Sequence, residues 1–414
     1  MIVELLLWSS ISIILMAGCY NTGLFLLSRR RAPRRNGPRK ERLYIFLLAC
    51  LNEEQVLAES LARITELPAG NFLALVIDDA SDDRTSEIAL AAGDRVRLHR
   101  RELPDARRGK GAALNDGVRY LTESGLLAGH DPDDVILCVV DADGRLDAHV
   151  VQSVDPFFDD PRTGATQICV RMYNRGKGLL ARLQDMEFVV YGDVFQSARR
   201  FIGSVGMGGN GQFMRLSALN TLGPGGPWSD SLTEDLDLGV RLIAKGWNTQ
   251  HCTSASVSQQ AVLDVKRLIR QRSRWFQGHL QSAGLVPLIL REVPTNRAAL
   301  DLLYHLSSPV LILLTSLLPL SFLVAVGGTV LASVETGRAL VSPMWLLGPY
   351  LLSFMAAYAY GLVYAKRERE LGLVRSVLVA HVFVIYGYIW FAAGWMGLWR
   401  MVTGKRTWLK TART

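Results

Sequence analysis

Between residues 43 and 172 the sequence switches again and again between two periodicities. "RLYIFLLAC" and "NFLALVIDD" are continuous apolar runs of strand length, while "EEQVLAESLARITEL" and "SDDRTSEIALAAG" carry helical spacing, the second opening on a good capping residue. The exchange continues through "RVRLHR", "GKGAALNDGVRYLTESG", "DDVILCVVDADG", "DAHVVQSVDPFF" and "GATQICVRMYN". Strands that alternate with helices in this way build a mostly parallel sheet covered by helices on both faces, an α/β fold. Ligands of such sheets collect beyond the carboxyl ends of the strands. There the chain concentrates its acids, in "CLNEE", "IDDASDD" and "VVDADG".

Apolar residues make up 49% of the 414-residue chain, and the surplus lies toward its ends. Residues 1–28 include a run from 2 to 28 with one acid and no base, long enough to span a hydrocarbon layer of about 30 Å as a transmembrane helix. The linker 29–42, "RRRAPRRNGPRKER", puts that flank in the cytoplasm by the positive-inside rule. A cleaved signal peptide carries its charge ahead of the apolar run instead. Three late apolar stretches, 304–333, 344–365 and 377–399, predict C-terminal transmembrane helices within 304–400, followed by a basic tail, 401–414. The loop 366–375 and that tail both favour the cytoplasmic side, which three full crossings cannot satisfy. Either one late segment is re-entrant or interfacial, or the tail breaks the charge rule.

Residues 43–260 remain for a cytosolic domain, and 261–303 for amphipathic helices at the membrane surface. The patterns 177–201 and 262–283 mix apolar, aromatic and basic positions as surface-lying helices do. The net charge of +8 sits beside the apolar segments, so anionic lipid is the expected partner. No nucleic-acid-binding module accompanies it. The five cysteines are widely spaced, as in a reducing compartment, and the seven histidines lack metal-ligand spacing.

Four short motifs carry chemistry. In "DAD" residues two apart on an extended segment face one side, so Asp141 and Asp143 direct two hard oxygen donors into one site, suited to Mg2+ or Mn2+ with a bound phosphate; a solvated turn is the plainer alternative. "GKG" sets Lys110 at a helix start. "TED" puts Glu234 and Asp235 in a first helical turn, where acids also serve as ordinary caps. In "QRSRW", Gln271, Arg274 and Trp275 fall at i, i+3 and i+4 and share one helix face. Lys266, Arg267, Arg270 and Arg272 need no catalytic role and suffice to hold an interfacial helix on anionic lipid.

Taken in order, "CLNEE", "IDDASDD", "GKGAALNDG", "DAD", "GGNGQFMR" with "LTEDLDLGVRLIAKGW", and "QRSRW" resemble the processive membrane branch of family 2 glycosyltransferases, which includes hyaluronan, chitin-oligosaccharide, poly-N-acetylglucosamine and cellulose synthases. The resemblance covers roughly residues 43 to 283 and the flanking membrane segments. It implies a GT-A-type, Rossmann-like fold and an integral protein of a bacterial-type plasma membrane with its catalytic domain in the cytoplasm. It implies that Asn52, Glu53, Asp78 and Asp79 line a nucleotide pocket, that Lys110 lies near the donor phosphates or sugar, and that Asp141 and Asp143 hold the cation. Asp235, beside Glu234, would be the general base; Gln271 and Arg274 would contact the diphosphate, and Trp275 would stack on the acceptor sugar. The implied reaction is inverting, processive synthesis of a β-linked polysaccharide from a nucleotide sugar, UDP-GlcNAc or UDP-Glc first, onto a growing glycan or lipid acceptor. The alternatives are a single addition to a polyprenyl phosphate or glycolipid, and a non-catalytic nucleotide-binding membrane module. Ser307, Ser308, Thr315 and His381 in the late segments either line a path for product or serve ordinary helix packing.

Overall fold

The computed structural model describes residues 2–30, 40–337 and 343–404. Most of the basic linker, and the tail from 405 onward, including "TWLKT", lie outside the described residues. Eight strands form one sheet: β1 Leu43–Cys50, β2 Phe72–Asp78, β3 Val96–Arg100, β4 Val135–Val139, β5 Arg145–Leu146, β6 Thr163–Met172, β7 Gln212–Arg215 and β8 Asn248–Gln259. Their order is β3-β2-β1-β4-β7-β6-β8-β5. Pairings among β3, β2, β1 and β4 are parallel, β7 runs antiparallel to β4 and β6, and β8 lies parallel to β6 and antiparallel to β5. The mostly parallel α/β expectation holds. β5, which is only Arg145–Leu146, β7, in "QFMR", and the Ser- and Thr-rich β8 are additions, since none of the three carries an apolar run of strand length.

The double covering explains those runs. Along β1, Tyr44, Phe46 and Leu48 point into one core with Leu57, Leu61 and Ile64 of the helix Leu57–Thr65. Leu43, Ile45 and Leu47 point into the other, against Ala113 and Leu114 of the helix Lys110–Glu123 and Leu238 and Leu242 of the helix Glu234–Ala244. Each buried Leu or Ile contributes roughly 1.5–3 kcal/mol relative to exposure, which is why both faces of a central strand are apolar. The strand order changes direction at β1 and β4, so the crevice between their carboxyl ends is the topological switch point.

Helical segments close the other side. Residues 177–201 were expected on a membrane surface, yet the helix Leu179–Val190 is buried between the sheet and the late helices. Its Asp185 accepts both Arg171 of β6, at 2.9 and 2.8 Å, and Tyr364 Oη, at 2.9 Å. Leu183, Met186 and Val189 pack with Val363, Tyr364 and Val379. A π-helical turn, Tyr191–Gln196, follows and leads into the helix Ser197–Ile202.

The helix Val265–Gln281 carries "QRSRW". The late region contains helices Asn296–Thr315, Leu317–Thr336, Pro343–Arg367, Leu373–Tyr386 and Tyr388–Val402. The first begins eight residues before the expected 304. Among the described residues, two stretches are long and apolar enough to cross a membrane, Asn296–Thr315 and Leu373–Val402. Helix Tyr388–Val402 lies very close to the "QRSRW" helix: a Cβ at Gly397 would stand 2.8 Å from Ser273 O, and one at Gly394 3.0 Å from the Phe276 ring.

Candidate active site

The switch-point crevice opens into a cavity of about 770 Å³ that runs from the ends of β1 and β4 to the helices Asn296–Thr315 and Tyr388–Val402. Ten of the twelve residues singled out from sequence line it: Glu53, Asp79, Lys110, Asp141, Asp143, Glu234, Asp235, Gln271, Arg274 and Trp275. Asn52 and Asp78 do not. Asp78 is fully buried and turned the other way, accepting Ser81 N–H at 2.8 Å and Arg100 at 2.6 Å, so it holds the loop after β2. Asn52, in the left-handed region at φ 54, ties the same loop through Asp82 N–H and Ser81 Oγ.

The acidic end is built from three elements. Asp141 and Asp143 follow β4. Lys110, first residue of its helix, donates to Asp141 Oδ1 at 2.5 Å and to Gly209 O at 2.6 Å. Because β7 runs antiparallel beside β4, the glycine-rich loop before it arrives at the carboxyl end of β4, where Asn210 Oδ1 accepts Asp141 N–H at 3.1 Å. Asp143 is buried and its Oδ2 accepts Gln260 N–H at 2.9 Å. Burial works to lower the Lys110 pKa, but Asp141 and Glu234 outweigh it and raise it on balance. A cation thus already rests against Asp141, and the hard oxygens of the pair fit Mg2+ or Mn2+. Among the described residues no cluster of three or more His, Cys, Asp or Glu side chains is arranged to hold a metal, so such an ion would take its other ligands from phosphate and water.

Glu234 and Asp235 begin the helix Glu234–Ala244 at the cavity wall. Burial first, and Asp235 second, push the Glu234 carboxyl up to about 8; burial raises Asp235 as well. Asp235 Oδ1 accepts Leu236 N–H at 2.8 Å, and a Cβ placed on Gly209 would lie 3.4 Å from Asp235 Oδ2 and 3.4 Å from Lys110 Nζ. The carboxylate pair and the "DAD" end therefore meet across one glycine.

On the "QRSRW" helix, Gln271, Arg274 and Trp275 face the cavity together. Arg272 does not sit on lipid as expected. It is buried, with its guanidinium 4.0 Å from the Trp275 ring centroid and an ion pair to Glu187 at 2.6 Å. Glu187 also accepts Tyr386 Oη at 2.6 Å and Trp390 Nε1 at 3.0 Å. Lys266, Arg267 and Arg270 are exposed, as a surface helix requires. Sequence reasoning missed several lining residues, among them Glu187, Tyr191, His279, His305, Trp390 and Phe391. A signal existed for His279, which falls one turn after Trp275 on the same face. Ser307, Ser308 and Thr315 all bond back to carbonyls of their own helix, and of the three Ser308 lines the cavity; His381 lies away from it, within hydrogen-bond reach of Tyr358 Oη at 2.8 Å.

Residues 136–403 match glycosyl transferase family group 2, and residues 46–223 match glycosyl transferase family 2. The chain belongs to glycosyl transferase family group 2. The chain is 31% identical over 267 residues to a beta-monoglucosyldiacylglycerol synthase of Trichormus variabilis, covering 62% of this chain and 53% of that protein. It is 25% identical over 236 residues to a poly-beta-1,6-N-acetyl-D-glucosamine synthase of Staphylococcus aureus, covering 56% and 53%. The chain spans about half the length of these curated relatives. In structure it is similar to a mannosyltransferase of Pyrobaculum calidifontis solved in complex with GDP-Man and Mn2+, with TM-score 0.57 and 16% identity over 96% of this chain and 97% of that one. This likeness is one of fold, and it bears out the GT-A-type expectation.

Proposed function

We propose that this family 2 glycosyltransferase is an inverting, divalent-cation-dependent enzyme of the membrane surface that transfers a hexose from a nucleotide diphosphate sugar, UDP-Glc or UDP-GlcNAc, and elongates a β-linked glycan. One observation carries the reading: Asp141, Asp143, Asp235, Arg274 and Trp275, from sequence positions more than 130 residues apart at the extremes, line a single cavity. Residues 43–260 form the catalytic domain on the cytoplasmic side. The helix Ile2–Ser28 and the late apolar helices serve as spans.

The donor occupies the switch-point end, with Glu53 and Asp79 on the nucleoside side. Asp79 is held by an ion pair to the buried Arg101, which keeps its carboxylate fixed for a base edge. Asp141 and Asp143 would hold the cation, which supplies positive charge against the departing diphosphate. Arg274 and Gln271 bind the same diphosphate. Asp235 accepts the proton of the acceptor hydroxyl as that oxygen bonds to the anomeric carbon and the bond from that carbon to phosphate oxygen breaks. Attack opposite the leaving group inverts the centre. Burial raises both carboxyls, Glu234 up to about 8 with Asp235 as its second cause, so the pair resists carrying two negative charges at once. Trp275, with its ring fixed by Arg272, offers a stacking face to the acceptor.

A second reading, single addition to a glycolipid acceptor, is favoured by the apolar and aromatic far wall, Pro309, Ile312, Trp390 and Phe391, and by the likeness to the diacylglycerol-glucosylating relative. Purified protein in detergent, given radiolabelled nucleotide sugars and Mn2+, tests both. A ladder of lengthening products supports elongation, one lipid-linked product supports the second reading, and absence of nucleotide diphosphate release with every donor would overturn the enzymatic reading.

A further inference from the structure

We infer that the acceptor end of the cavity is built for an uncharged, hydroxyl-bearing head, a sugar ring or a glycerol, and not for a phosphate, with His279 and His305 as specificity-determining residues. The inference rests on the transferase reading above and narrows its acceptor.

Charge makes the first argument. Among the described residues lining the cavity, seven are carboxylates and two, Lys110 and Arg274, carry a fixed positive charge. Lys110 is engaged by Asp141 and Gly209 O, and Arg274 lies on the face of "QRSRW" assigned to the donor diphosphate. The nearby guanidiniums are committed elsewhere: Arg272 to Glu187 and the rings of Trp275 and Trp390, and Arg199 to Asp301 at 3.0 Å. A phosphate-terminated acceptor would bring one or two negative charges beside Asp235, with the Arg272 guanidinium already taken by Glu187 and no further cation left to receive them, an arrangement that low dielectric makes costly.

The second argument is what stands there instead. His279 and His305 both line the cavity, with ring centroids 4.7 Å apart and planes inclined by 55°. His279 Nε2 is buried and has no hydrogen-bond partner among the described residues. Burial holds the His279 pKa down at about 4, so the ring is neutral at working pH, with one nitrogen donating and the other accepting. The backbone of His305 engages the ring's other nitrogen, so Nε2 is the atom left to meet an acceptor hydroxyl. The pair stands close to the base. Gly278 is packed so tightly on Thr233 that a Cβ there would meet Thr233 Cγ2 at 2.7 Å, and Thr233 immediately precedes Glu234 and Asp235. His279 also continues the row of Gln271 and Trp275, four residues apart along one face.

The test uses the full chain in lipid nanodiscs with Mn2+ and a radiolabelled nucleotide sugar, and three acceptors: diacylglycerol, a β-linked hexo-oligosaccharide and a polyprenyl phosphate. Transfer to diacylglycerol or the oligosaccharide at ten or more times the rate to polyprenyl phosphate is the expected result, and which of the two is used separates lipid from glycan. In His279→Ala the KM for that acceptor rises tenfold or more while the donor KM moves less than twofold, and His279→Gln recovers most of the loss. Preference for polyprenyl phosphate, or transfer to none of the three, overturns the inference, as does an equal change in both KM values. If His279→Ala is recovered unfolded, His305→Gln provides the same comparison, and the acceptor comparison on the parent protein stands without any variant. Calorimetric titration of UDP with Mn2+ separates the failures. Without UDP binding the donor reading falls and this one with it, whereas UDP binding with transfer to polyprenyl phosphate sinks only the acceptor inference.

Discussion

Lys110 and Asp235 flank the backbone of Gly209: a side-chain carbon at that position would touch Lys110 Nζ and Asp235 Oδ2 at the same 3.4 Å. Such a distance is ordinary contact, so the fold tolerates one extra carbon, but a branched side chain would push the two charged groups apart. Gly209→Val is expected to keep its thermal midpoint within a few degrees while kcat/KM drops on the order of 100-fold, the usual penalty for reacting groups displaced by about 1 Å. Thermal denaturation and initial rates on one preparation check both halves.

Removal of divalent cations tests the "DAD" end. EDTA is expected to abolish transfer and Mn2+ to restore it, and Asp143→Asn is expected to raise the half-saturating Mn2+ concentration at least tenfold, since one of the two proposed protein ligands loses its charge. Activity that survives EDTA unchanged contradicts the assignment.

The raised pKa values of Glu234 and Asp235 fix a pH response. With Glu234 protonated below about 8, base function is lost when Asp235 takes up a proton as well. The acid limb of kcat/KM is then expected above the ordinary aspartate value of about 4, measured from pH 4 to 9. Asp235→Asn is expected to lower kcat about 10²- to 10⁴-fold with UDP binding retained.

Stability responds with the opposite slope. Between the ordinary glutamate value, about 4.3, and the folded value, about 8, the native state binds more protons at Glu234 than the unfolded chain does. The contribution of this group is thus fully present at low pH and is lost as pH rises through that window. In metal-free protein, Glu234→Gln is expected to gain in Tm over the parent as pH goes from 5 to 9.

Arg272 is expected to matter more for folding than its place beside a functional motif suggests. Its side chain is almost wholly buried against Glu187. Removal of one partner leaves the other charge without its counter-ion, so Arg272→Ala is expected to destabilise the protein by roughly 3–5 kcal/mol. Arg272→Lys keeps the charge but not the flat contact with Trp275, and is expected to recover only part of the stability. Denaturant titrations in detergent read both variants.

The sequence spoke clearly where one physical pattern had one solution. Doubly covered strands must be apolar on both faces, which is why β1 and β4 could be read as buried and parallel, and "DAD" could be placed at a strand end. Neighbouring residues at such an end point to opposite sides, and nothing in "IDD" tells which one faces the ligand. Asp79 lines the cavity, while Asp78 bonds to Ser81 and Arg100 behind it. Arg272 shows a different limit. On the spacing of its own helix it is one more cation of a surface, and only the approach of Tyr386 and Trp390, more than 110 residues later, turns its side into an interior. β8 escaped for lack of an apolar run, because its buried positions are Thr249, His251, Cys252, Ala255 and Val257, a set too mixed and irregularly spaced to read as a strand.

Gly394 and Gly397 leave no room between the last helix and Phe276 and Ser273. Two rods that meet backbone to backbone at Gly397 and backbone to ring at Gly394 share their fate: a fragment trimmed at Gln281 for easier handling would bare the flank on which Phe276 rests. Such a truncation is better regarded as a broken enzyme than as a soluble one, and assays meant to represent this protein require its carboxyl-terminal helices in place.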